Sequence, residues 1–71
     1  MLTHRSNKAL NFFDNELHHV KNGERVQISY HPAIGTYHIV QTESRGFLSG
    51  WGVEISREDI ANNFVDITRT V

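Results

Sequence analysis

Cysteine is absent from the 71 residues, which excludes disulfides, thiolate nucleophiles, CxxC redox chemistry and every cysteine-based zinc site. The absence suits a reducing, cytoplasmic setting. An excess of one charge is missing too. Seven Lys and Arg against eight Asp and Glu leave a net charge of −1, so the bulk composition writes neither a polybasic nucleic-acid binder nor an acidic mimic of one. No apolar run has the length of about 7–15 residues that a signal sequence needs, and a membrane span fails by a wider margin. No repeat, low-complexity tract or Pro/Gly/Ser-rich linker interrupts the chain, so one domain over residues 1–71 is expected. A chain this short buries a modest core, to which a second copy of itself, as a homodimer, would add.

Proline and glycine are scarce before residue 23: the only Pro and all five Gly follow Asn22. The segment ahead of them is rich in Asn, Leu, Phe and His. Within it Leu10, Phe13, Leu17 and Val20 recur at spacings of three, four and three, which predicts an amphipathic helix over residues 6–21. Thr3 or Ser6 would cap its start and Asn22-Gly23 would stop it. Phe12 lies off the centre of that stripe.

From Glu24 onward the period is two. Val26, Ile28 and Tyr30 alternate with Gln27, Ser29 and His31; beyond Pro32-Ala33-Ile34-Gly35, Tyr37, Ile39 and Gln41 alternate with Thr36, His38 and Val40. A four-residue turn that places His31 opposite Thr36 makes Tyr30 face Tyr37 and Ile28 face Ile39, giving one apolar side. Pro32 supplies a fixed φ and Gly35 a positive one. A second turn at Glu43-Ser44-Arg45-Gly46 leads to Gly50-Trp51-Gly52, where two glycines in strand-like sequence predict a sharp bend or the close approach of another backbone. Ser56-Arg57-Glu58-Asp59 has the form of a helix start. Ile60 and Phe64 give that helix one short apolar face. A closing strand then carries Val65, Ile67 and Val71 inward, with Arg69 breaking the row.

This order of elements resembles, in architecture, the small SH3-like or Sm-like barrel over residues 24–71, with the leading helix matching the Sm-like variant. The expectation is therefore an α+β fold: an N-terminal amphipathic helix, then a strongly bent antiparallel sheet or barrel of about five strands, with a helical turn before the last. Such a fold hosts many unrelated functions, so function has to be read from sites.

Histidine is over-used, at five residues. His31 and His38 share a hairpin face as diagonal neighbours, but two ligands do not make a metal site. On a helix His18 and His19 would diverge by about 100°. Glu16 and His19 would have the i,i+3 spacing of carboxylate-bridged metal centres, without the repeats those centres need. Ser49 sits in G-x-x-S-G rather than G-x-S-x-G, Glu58 and Asp59 read as first-turn acids facing a helix dipole, and no phosphate-binding loop occurs. Neither an enzyme nor a bound cofactor or metal is expected.

What remains is surface recognition. Trp51, Tyr30, Tyr37 and Arg45 are the expected contact residues, with His31 and His38 modulating affinity between about pH 5 and 8. The leading expectation is a small binding protein acting by protein–protein interaction, a regulator or inhibitor of the kind that phage and mobile elements direct at a host factor. The alternative is an RNA- or DNA-binding small β-barrel, in which Arg45 and Arg57 converge with Tyr30, Tyr37 or Trp51 as a stacking platform.

Overall fold

The computed structural model describes residues 1–68; Arg69, Thr70 and Val71, assigned by the sequence pattern to the end of the closing strand, lie outside the described residues. The chain forms strands β1 (His4–Ser6), β2 (Leu10–Phe13), β3 (Leu17–Val20), β4 (Arg25–His31), β5 (Thr36–Thr42), β6 (Gly46–Phe47) and β7 (Val53–Ile55), helix α1 (Arg57–Asn63) and strand β8 (Phe64–Asp66). Pairing is antiparallel throughout. One sheet runs β6-β5-β4-β1-β8, with β7 on β5 beyond β6, while β2 and β3 form a separate ribbon. No helix among the described residues is long and apolar enough to cross a membrane.

The expected N-terminal helix is replaced by strands. Asn11, Asn15, His18, His19, Phe12 and Phe13 are all weak helix formers, and Asp14 makes a turn instead: its Oδ1 accepts the Glu16 N–H at 3.0 Å, an Asx turn that reverses the chain. Leu10 pairs with Val20 and Phe12 with His18, so Leu10, Phe12, His18 and Val20 share the inner face and Phe13 and Leu17 the outer one. The helical stripe thus splits. Val20 is buried, while Phe13 is 76 % exposed.

The expected barrel is also corrected: the sheet is open and is not closed on itself. Its core face is covered by other means. Val20, Val26, Ile39, Ile55 and Phe64 form the buried cluster, with Leu10, Phe12, Ile28, Tyr37, Leu48 and Ile60 packed against it. The β2–β3 ribbon and α1 therefore do the covering that strand closure would do in a barrel.

The β4–β5 hairpin has the expected register, with His31 opposite Thr36, Tyr30 opposite Tyr37 and Ile28 opposite Ile39. Gly35 closes its turn at φ +69°. Below Ile28 the register shifts, because Gln27 faces Gln41 and Val40 is left as a bulge residue. The bulge turns Thr42, rather than Gln41, toward the core beside Val26. Gly52, at φ +79°, is packed onto this same place: a Cβ there would overlap the Ile39 carbonyl oxygen. The bend and close approach read from Gly50-Trp51-Gly52 are both present.

Ser56 caps α1 by accepting the Asp59 N–H, with Glu58 and Asp59 in the first turn. The closing strand has the opposite phase to the expected one. Phe64 is buried and Val65 is exposed, because α1 ends at Asn63 and Phe64 enters β8 directly with its ring in the core.

Candidate functional site

Alternation along β4 and β5 puts Tyr30 and Tyr37 on the core side and His31 and His38 on the outer side of the same hairpin tip. The six expected contact residues therefore fall into three groups. Trp51 joins the histidines: its indole stacks on His31, with centroids 5.5 Å apart and planes 20° apart, and meets His38 edge-on at 6.3 Å. His31 and His38 themselves meet edge to face at 4.6 Å. The two-glycine bend is what swings Trp51 over this face. His38 is buried beneath, while Trp51 stays 55 % exposed.

Tyr30 and Tyr37 form a tilted pair at 4.8 Å. The Arg57 guanidinium lies 5.8 Å from the centre of the Tyr37 ring, within cation–π range. The expected meeting of Arg57 with a tyrosine occurs; that of Arg45 with the aromatic residues does not. Arg45 is held at the β2–β3 ribbon, where Nη1 donates to the Leu17 carbonyl at 3.3 Å and lies 3.0 Å from His18 Nδ1.

The outer face of the main sheet continues beyond Trp51. Glu54 pairs with His38, Phe47 with Gln41, and Arg5 with both Arg25 and Val65. Phe47 is exposed here. Arg25 is neutralised by Glu43 at 2.7 Å, a bond that also holds the Glu43 carboxyl below its usual range. Two atoms on this face, His31 Nε2 and Gln41 Oε1, are shielded from solvent and meet no hydrogen-bond partner among the described residues. Among the described residues no group of three His, Asp or Glu side chains is placed to hold a metal ion.

Glu24 and His18 are among the buried polar groups that the sequence pattern does not reveal. Glu24 is buried, and its carboxylate accepts the Lys21 N–H at 2.9 Å and the Ser44 N–H and hydroxyl at 2.9 and 2.6 Å. Burial pushes its pKa up, but the Ser44 and Lys21 bonds outweigh that and hold it below the ordinary value. The Asp14-Asn15 turn between two period-two runs was the signal that could have placed His18 on an inward strand face.

Comparison with protein-family models, with characterised proteins and with solved structures gives no match.

Proposed function

We propose that this chain is a non-enzymatic binding protein that regulates a protein partner through the outer face of its open sheet, with Trp51 as the anchor. The observation that carries the reading is a large indole stacked on His31 yet more than half exposed. An aromatic side chain has few rotatable bonds to order on contact and contributes much apolar area, which is why Trp dominates interface energetics. Phe47, exposed on the same face opposite Gln41, adds a second apolar side chain to it.

The stacking surface also suits a nucleobase, but the field around it does not suit phosphates. On this face Arg25 is paired with Glu43 and Glu54 lies beside His38, and Arg45 and Arg57 are engaged elsewhere. A phosphate-dominated complex needs a net positive surface and weakens steeply with salt.

Affinity capture from a lysate of the encoding organism, with wild-type and Trp51→Ala baits, tests the reading. A protein retained by the wild type after nuclease treatment and at high ionic strength, and lost from the variant, is expected. Capture that vanishes with nuclease, or collapses as salt rises, favours the nucleic-acid reading and overturns this one.

A further inference from the structure

His18 is 7 % exposed, and both of its ring nitrogens are engaged. Nε2 lies 3.0 Å from Asp14 Oδ1 and Nδ1 lies 3.0 Å from Arg45 Nη1. A guanidinium nitrogen only donates, so Nδ1 is an acceptor without a proton, and the single ring proton sits on Nε2 facing Asp14. The geometry thus specifies the neutral ring and its tautomer.

Arg45 belongs to the turn between β5 and β6, and its backbone N–H is fixed there by the Thr42 hydroxyl at 3.0 Å. Among the described residues, the hydrogen bonds joining residues 10–20 to the rest of the chain all come from this one arginine, to His18 and to the Leu17 carbonyl. Apolar packing of Leu10, Phe12 and Val20 and an ion pair of Arg45 with Glu16 at 3.7 Å supply the remaining attachment. His18 also lines a cavity of only about 10 Å³ between the ribbon and Ile39, Leu48 and Val53, so the joint is closed.

We propose that His18 is a proton-operated latch: uptake of a second ring proton breaks its bond to Arg45 and loosens the β2–β3 ribbon from the sheet. The new proton must go to Nδ1, where it turns an acceptor into a donor aimed at a donor and sets two cations about one hydrogen-bond length apart. The charged groups around the ring decide which side lets go. Asp14 at 3.0 Å and Glu16 at 3.8 Å from Nε2 both belong to the ribbon's own turn and hold the imidazolium there. Arg45 is the facing charge from the sheet, with a longer approach of 3.7 Å to Glu16. His19, the neighbouring titratable group, is bonded to Asn11 within the ribbon and offers the sheet no substitute bond. The bond that breaks is the one from Arg45 to His18; the arginine keeps only its longer contacts to the Leu17 carbonyl and to Glu16, and the surface that loosening uncovers is the apolar one that Phe12, Val20, Ile39 and Val53 now close.

Site-resolved NMR on the full chain tests this. Imidazole nitrogen shifts near neutral pH are expected to show a deprotonated Nδ1 and a protonated Nε2 at His18. As His18 takes up its second proton, amide protection over residues 10–20 should fall at least tenfold relative to β4 and β5, with the midpoint of His18 itself and not of His4, His19, His31 or His38. In Arg45→Ala the ribbon should already be weakly protected, with no step at His18; should that variant not fold, Arg45→Gln is read the same way. A protonated Nδ1 at neutral pH, ribbon protection indifferent to His18, a step that persists in the arginine variant, or global unfolding before His18 protonates would each overturn the latch.

Discussion

Gly52 lies against the main chain of Ile39 at the point where β5 bulges, so close that a Cβ built on it would stand 2.9 Å from the Ile39 carbonyl carbon as well as overlapping its oxygen. The obstacle is backbone in a buried strand and has no side-chain freedom with which to retreat. Gly52→Ala combines this clash with a left-handed φ of +79°, and its expected cost is about 3 kcal/mol or more, enough to unfold much of so small a domain. Gly35→Ala is the matched control, since it has a similar φ but open space around it; about 1–2 kcal/mol is expected there. Urea unfolding of the two variants measures the difference.

Phe13→Ser separates the ribbon from the helix that the sequence spacing suggests. On a helix Phe13 would sit at the centre of the buried stripe. In the ribbon it faces water, and the substitution should change stability by less than about 0.5 kcal/mol. Val20→Ala, on the inner face, should cost about 2 kcal/mol from lost burial and the cavity left behind. Denaturant midpoints at constant m-value provide the comparison.

The two halves of the chain were unequally legible for a physical reason. Over residues 28–30 and 37–39 the apolar residues alternate strictly and the turn carries Pro32 and Gly35, so period and register could be read together there, while the bulge at Val40 could not. In residues 10–20 the apolar positions fit a helical stripe as well as they fit two short strands, and the deciding inward residue, His18, is polar. Its burial depends on Arg45, 27 residues away, which local pattern cannot see. The same blindness hid Glu24, whose partners include Ser44, and allowed Arg45 to be grouped with Trp51. The closing strand went out of phase by a single residue at Phe64, where helix passes directly into strand.

Glu24 makes acid stability specific. Its folded pKa lies below the ordinary 4.5, so the unfolded chain binds a proton more readily. The stability it contributes is complete above about pH 4.5 and is lost as pH falls through the depressed value. Glu24→Gln should cost about 1–3 kcal/mol at neutral pH through loss of charge-assisted bonds. It should also flatten the acid limb of a plot of unfolding free energy against pH. An acid limb as steep as in the wild type would assign that slope to other carboxylates.

His4 should titrate low. Burial lowers its pKa from 6.5, and nearby Asp66 offsets only part of that. Folding therefore favours the neutral ring. This contribution is complete above pH 6.5 and disappears as pH falls through the lower folded value. The proton shifts of its imidazole should give a midpoint below that of an unfolded-state histidine.

Trp51 is the central contact of the proposed interface, and a binding isotherm with the purified captured partner measures its contribution. Trp51→Ala should weaken the complex by on the order of thirtyfold or more, as expected for an interface anchor worth about 2 kcal/mol, with far-UV circular dichroism and melting temperature near those of the wild type. A variant that binds as tightly as the wild type, or one that loses its fold, would contradict the assignment of Trp51 as an exposed anchor.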